Sequence, residues 1–461
     1  MQETSRPEER RARASSWTYR ATRAVAIVSL RLFYRRIRTL NRERLPTAGP
    51  VVIAANHPNY MIDPLAIGSR TGRQLHFVAK GPLLDRYPLV SRFLRGVGVV
   101  PVFRLRETPA EAGGRAVGRT TVNRESFERC ADLLEEDGVI CMFAEGESHP
   151  ERQVRELRSG TARIVLEAEA RNGYALGVQV IPAGLYFPDV DRYFSDGAVA
   201  FGALIDTGPY RLQHATDSLG AVRALTAEIQ RRLRDLAVHV PDPAWVRCVE
   251  QVADFANGWP ESTADAGARL QRTREVSTAL QAFQAADAEG ADRFRRSAEL
   301  LWVASDAWHR HGRGREHAQV RVRDAAALPV ATFGYVYNMP PYLLLRGWIA
   351  LFVRSREKRA FVKFMLGLPL FVGWYALTAR VVAQRRPAWA APMGATLAAA
   401  GPVIGFLAMR MRAHRGRWLD AWRAHTPEAD AAWGAEIALR RAALLRELAP
   451  WLPDSAAAAR G

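Results

Sequence analysis

The stretch VVIAANHPNYMIDP, Val51 to Pro64, decides how the first half of the chain is read. Val51 to Ala55 is an unbroken apolar run with Pro50 before it and Asn56, His57 and Pro58 after it. A run this short, rich in β-branched residues and closed by turn formers, predicts a strand buried on both faces, as in a parallel sheet. Asp63-Pro64 reads as the start of a helix. Strand, loop with a histidine, helix: this is the opening half of a βαβ unit.

The same grammar continues outward. Strand-like runs recur at LHFVAK (75–80), GVVPVF (98–103), VICMFAE (139–145), QVIPAGLYF (179–187) and AVAFGALI (198–205). SFERCADLLEED (126–137) between the third and fourth runs is helical, with Phe127, Cys130 and Leu134 on one face. The alternation predicts an α/β domain over 45–209, with a mostly parallel central sheet flanked by helices. Chemistry in such sheets sits beyond the carboxyl ends of strands. Residues 57–63 and 145–149 both fall there.

Residues 1–16 are polar and Arg-rich and read as a disordered basic tail. From Trp17 to Leu40 two apolar rows, Val25/Val28/Leu32 and Leu30/Phe33/Ile37, predict a basic amphipathic helix, and 17–44 is assigned to it. It either packs on the next domain or lies on an anionic membrane surface. Residues 210–325 show no strand pattern and read as a helical region. Over 326–418 membrane-associated segments are expected. FMLGLPLFVGWYALTA (364–379) and AWAAPMGATLAAAGPVIGFLAM (388–409) carry no charge, so a C-terminal membrane helical hairpin is expected, with a buried soluble hairpin as the alternative. MPPYLLLRGWIALFV (339–353), interrupted by Pro340, Pro341 and Arg346, reads as interfacial or re-entrant. Basic residues crowd both flanks of the hairpin, which places them on the cytoplasmic face of the cell membrane. An amphipathic helix and tail are assigned to 419–461.

The chain has 461 residues and a formal net charge of +18. That charge suits anionic lipid, an anionic substrate or nucleic acid. No nucleic-acid motif or basic–aromatic platform accompanies it, so no nucleic-acid partner is expected. Lysine occurs only at Lys80, Lys358 and Lys363, and the excess is otherwise arginine. Cys130, Cys141 and Cys248 are too scattered for a zinc or redox motif, and no metal or cofactor is expected.

The residues at the strand ends suggest one chemistry. Asp63 can hold one imidazole nitrogen of His57 while the other takes a proton from a substrate hydroxyl. No serine nucleophile is then required, and the transfer is direct. Arg104 can clamp a phosphate through two parallel hydrogen bonds. Gly146 allows backbone to approach a ligand. Glu145 can bind a substrate hydroxyl or orient Arg104. Ser148 and His149 are further hydrogen-bonding candidates, Asn59 lies in the His57 loop, and Lys80 and Arg158 are candidates for phosphate or the acyl donor. Each also has a plain structural reading: Asp63-Pro64 as a helix start, Glu145-Gly146 as a turn, Arg104 as a surface residue.

Residues 45–205 resemble the glycerolipid acyltransferase superfamily, through four blocks in order. LPTAGPVVIAANHPNYMIDP is similar to the first block, which implies His57 as general base and Asp63 as its partner. GVGVVPVFR is similar to the second, whose arginine, here Arg104, contacts the acceptor phosphate. MFAEGESH is similar to the third and carries Glu145 and Gly146, with Ala144 where proline is usual. VQVIPAGLYF is similar to the fourth, on the acyl side. The resemblance implies transfer of an acyl group from acyl-CoA or acyl carrier protein to glycerol 3-phosphate, dihydroxyacetone phosphate or lysophosphatidic acid. Five residues separate His57 from Asp63 where four are usual, and on a helix this shift rotates the carboxylate by about 100°. The spacing resembles a branch of the superfamily that also has membrane segments after the catalytic domain. A different lipid acceptor and a non-catalytic membrane scaffold stand as alternatives.

Overall fold

The computed structural model describes residues 17–80, 96–102, 116–259, 264–311, 322–385 and 427–452, with 92, 94 and 401 singly. It divides into two compact units, Met1–Val190 with Ser195–His239, and Asp191–Phe194 with Val240–Gly461.

The first unit is built on a sheet of β1 (Arg36–Leu40), β2 (Val51–Ala55), β3 (Leu75–Lys80), β4 (Val99–Val102), β5 (Val139–Phe143), β6 (Gln179–Tyr186) and β7 (Asp196–Phe201). The spatial order is β1-β7-β6-β2-β5-β3-β4. β6, β2, β5, β3 and β4 run parallel, and β7 turns back antiparallel to β6. All five β2 residues are buried, because the strand has neighbours on both edges and helices on both faces.

The chain leaves β2 toward β3 and leaves β5 in the opposite direction, toward β6. Right-handed crossovers therefore put the connecting helices on opposite faces. α1 (Trp17–Phe33) and α2 (Ile62–Gly68) pack together on one face. α3 (Ala116–Glu135) and α4 (Gly160–Arg171) pack together on the other. There Val52, Ala54 and Ile140 meet Cys130 and Leu134 of α3 and Val165 of α4. The gap between the diverging crossovers lies beyond the carboxyl ends of β2 and β5.

Two readings change. The helix expected from Trp17 to Leu40 ends at Phe33, and Arg36–Leu40 is the edge strand β1, parallel to β7. Arg36-Ile37-Arg38-Thr39-Leu40 alternates with period two and has β-branched residues at 37 and 39, which favours a strand once a sheet edge is available. Arg35 locks the register by donating to the buried carboxylate of Asp196. The first unit also extends past 209. It takes in α5 (Gly208–His214) and α6 (Ser218–Leu236), whose buried Leu225, Ile229 and Leu233 join the α3/α4 core.

The second unit is helical: α7 (Val246–Ala256), α8 (Ala266–Ala286), α9 (Ala288–His311), α10 (Val322–Phe352), α11 (Arg356–Arg385) and α12 (Pro427–Leu448). α11 contains a span, Phe361–Gln384, long and apolar enough to cross a membrane. It packs on α10. The Tyr375 hydroxyl donates to Asn338 Oδ1 at 2.7 Å, and the Trp374 indole donates to the Tyr337 carbonyl at 3.0 Å. Of the stretch 339–353, expected to be broken by prolines, all but Val353 lies within α10, which carries Pro329, Pro340 and Pro341 inside a continuous helix. The Asn338 side chain donates to the Gly334 carbonyl one turn back, next to the lost proline donors. Residues 1–16 and the run 388–409 lie outside the described residues, apart from Gly401. Gly401 is buried, and a Cβ built on it would come within 2.7 Å of the Tyr375 ring.

Candidate active site

Ala55 of β2 is in register with Phe143 of β5. Two residues beyond each, His57 and Glu145 therefore emerge side by side at the carboxyl edge. The Phe143 ring stacks under the His57 imidazole, with centroids 3.9 Å apart.

The backbone of His57 is held from both sides. On the β6 side, the Asn56 amide bridges Leu185, accepting from its N–H (2.7 Å) and donating to its carbonyl (3.1 Å). On the β5 side, the His57 N–H donates to Glu145 Oε1 at 3.1 Å, and the His149 N–H donates to the His57 carbonyl at 3.0 Å. Glu145 is buried. Its Oε2 accepts the Arg155 N–H at 2.9 Å and is bonded to His149 Nε2. The carboxylate is thus engaged by the protein's own donors on both oxygens.

His57 Nδ1 lies 2.8 Å from Asp63 Oδ2. The same oxygen accepts the Asn59 N–H at 2.7 Å. The unusual spacing is absorbed before α2 begins. Tyr60 takes φ +46°, and the turn closes through Ile62 N–H to Asn59 O (3.0 Å) and Asp63 N–H to Tyr60 O (3.2 Å). The Tyr60 N–H donates to Ser148 Oγ at 2.8 Å, which ties this turn to the Glu145 loop. Gly146 has φ +75°, a conformation in which glycine has no steric cost.

The pair is asymmetric in exposure: the His57 side chain is 16% exposed and that of Asp63 0%. Burial pushes the Asp63 carboxyl above its ordinary value, opposed by the hydrogen bond from His57. Its second oxygen, Oδ1, is buried without a hydrogen-bond partner. With Nδ1 on Asp63, His57 Nε2 is left to exchange a proton with a bound group.

The other candidates fall into distinct places. Asn59 is fully buried and donates its amide to Tyr34 Oη at 2.8 Å, so it braces the turn from within. Ser148 fixes the same turn. Arg158 is exposed and lines a recess of about 440 Å³ with Glu145, Glu147, Arg155, Glu156 and Leu157. Lys80 ends β3, in register with Val102. Arg104 lies outside the described residues. Among the described residues no three His, Cys, Asp or Glu side chains converge as a metal site. Cys130, Cys141 and Cys248 are buried and unbridged. Burial pushes the Cys130 and Cys248 thiols up to about 12 and that of Cys141 higher still, which makes them poor nucleophiles.

Sequence reading gave no role to Tyr34, Asn56, Phe143 or Arg155. Asn56 and Phe143 had a signal, as flanks of the two chemical motifs. Tyr34 and the Arg155 backbone had none, since they reach the site only through the fold.

Residues 36–186 match the family model described as Acyltransferase, and this segment is a domain of that family. Its bounds run from the first residue of β1 to the last of β6, so the matched segment contains both strand ends described above. Among solved structures, the chain is similar to the 1-acyl-sn-glycerophosphate (LPA) acyltransferase PlsC from Thermotoga maritima, at 17% identity and a TM-score of 0.33, over 50% of this chain and 83% of that one. No curated protein sequence matches the chain.

Proposed function

We propose that this protein is a membrane-bound O-acyltransferase. It moves a fatty acyl group from acyl-CoA or acyl carrier protein to a hydroxyl of glycerol 3-phosphate, dihydroxyacetone phosphate or lysophosphatidic acid. The observation that carries this reading is the His57–Asp63 pair at 2.8 Å, with the imidazole partly exposed and the acid fully buried, inside a segment that matches the acyltransferase family.

In this mechanism His57 Nε2 removes the acceptor hydroxyl proton as the oxygen attacks the thioester carbonyl. The imidazolium is stabilised by the Asp63 carboxylate through Nδ1–H. The new C–O bond forms, the C–S bond breaks, and the departing thiolate takes the proton back from His57. Asp63 must be ionised at the start. Glu145, Asn56 and Asn59 hold the pair in place, and Phe143 supports the ring from below. Arg104 and Arg158 are the proposed phosphate contacts. A non-catalytic scaffold loses its motive, because the extra residue in the loop does not separate the acid from the histidine.

The membrane reading rests on the apolar α11 span and on the basic residues Arg354, Arg356, Lys358, Arg359 and Lys363 around its start, which favour the cytoplasmic face. The test is an acyl-transfer assay on membranes carrying the full chain, with the three acceptors offered side by side. One of them becomes acylated in wild type and none in H57A. Equal transfer by H57A refutes the mechanism.

A further inference from the structure

The opposite edge of the first unit holds a second basic feature. β3 begins at Leu75, so the preceding residues lie at the amino edge of the parallel strands, away from His57. There a pocket of about 280 Å³ is lined by Tyr19, Arg20, Arg23 and Ala24 of α1 and by Arg73 and Gln74. Two of its guanidinium groups are fixed. Arg23 donates to the carbonyls of Gly68 (3.1 Å), Ser69 (3.3 Å) and Thr71 (3.0 Å). Arg73 donates to the Asp137 carbonyl, and its other terminal nitrogen is buried without a hydrogen-bond partner. The Asp137 charge offsets part of that of Arg73. Arg20 is exposed. Half-buried Arg70 is pushed down to about 10, chiefly by its burial and then by the charges of Arg31 and Arg42, so the positive field extends beyond the pocket.

α1 supplies a second, independent feature. Its buried side, Tyr19, Ala26, Leu30 and Phe33, packs on the unit. Trp17, Val28, Leu32 and Val25 are exposed, at 82% for Trp17 and 55% for Val28. At 3.6 residues per turn, Trp17 and Val28 are about 20° apart around the helix and Val28 and Leu32 about 40°. These residues form one apolar stripe. Arg20 and Arg31 follow one border of it, and Arg20 also lines the pocket. A pocket lined by three arginines, beside an exposed apolar stripe, suits a molecule with a phosphate head and an apolar body.

We propose that this pocket binds the phosphate headgroup of an anionic lipid whose chains lie along the α1 stripe. The site is separate from the acyl-transfer centre, and the inference does not rest on the acyltransferase reading.

The test uses the purified full chain in neutral detergent and calorimetric titration. The probes are dihexanoylphosphatidylglycerol below its micelle concentration, dihexanoylphosphatidylcholine and sodium phosphate. Phosphatidylglycerol saturates wild type and H57A alike, and phosphatidylcholine does not bind. R20Q weakens binding about fivefold and R20E about thirtyfold, the effect of removing and then reversing one surface charge. R20K restores it. The proposal is overturned if phosphatidylcholine binds as well as phosphatidylglycerol, if R20E binds like wild type, or if H57A loses binding. It is also overturned if sodium phosphate saturates the site as tightly as the lipid, which assigns the pocket to a free anion.

Discussion

Replacing Glu145 by Gln separates two roles for the third motif. The structure surrounds this side chain with donors: the His57 N–H at 3.1 Å on one oxygen, and the Arg155 N–H at 2.9 Å with His149 Nε2 on the other. A carboxylate satisfies all of them. A carboxamide presents one acceptor and one NH2 group, so in either orientation at least one buried N–H meets a donor. Leaving such a group unsatisfied costs about 1–3 kcal/mol. The cheaper orientation keeps the oxygen on Arg155 and His149 and orphans the His57 N–H, which releases the backbone of the general base. E145Q therefore lowers the melting temperature by about 2–4 °C per kcal/mol lost. It lowers kcat by about 10²-fold, the effect of a misplacement near 1 Å, with the acceptor KM changed by less than about twofold. The assay is steady-state acyl transfer with the acceptor varied, alongside thermal melting of the same preparations. A raised acceptor KM with unchanged kcat and melting temperature refutes the positioning role and returns Glu145 to the substrate.

Asp63 gives a paired expectation in activity and stability. D63N lowers kcat/KM by about 10²–10⁴-fold, measured in the same assay, by removing the support for the imidazolium. Because burial raises the folded-state pKa of Asp63 from 3.8, its contribution to stability is present below the unfolded value and is lost as pH rises through the folded one. D63N therefore melts higher than wild type at pH 8, and the gap closes toward pH 4. A lower melting temperature for D63N across the whole range contradicts this burial argument. In wild type the acid limb of kcat/KM lies above the ordinary aspartate range, since activity needs the carboxylate that burial disfavours. Y34F removes the 2.8 Å bond to Asn59 and costs about 0.5–1.5 kcal/mol, read by denaturant unfolding, with a fall in kcat as the turn loosens. G401A places a Cβ 2.7 Å from the Tyr375 ring and lowers thermal stability of the full chain in detergent, whereas Y375F/G401A does not restore it because the ring remains.

The sequence by itself determined the strands of the sheet's centre and the residue types at their ends. Val51 to Ala55 and Val139 to Phe143 are apolar runs bounded by turn formers, and that pattern has few solutions other than a strand covered on both faces. It also marked His57, Asp63, Glu145 and Gly146, because motifs that end a buried strand emerge at the carboxyl edge. Three things were decided only in the tertiary structure. Arg36–Leu40 is a strand because β7 offers an edge, which local periodicity shared with a helix does not reveal. The fit of Asp63 to His57 depends on Tyr60 at φ +46°, a conformation of no value locally and held by Ser148 from a distant loop. The duty of Glu145 depends on donors at positions 57, 149 and 155, two of them backbone groups that no side-chain pattern encodes. Strand formation rests on burial of apolar surface, which a composition pattern carries. The site rests on hydrogen-bond directions, which exist only once residues 88 apart in the chain lie side by side.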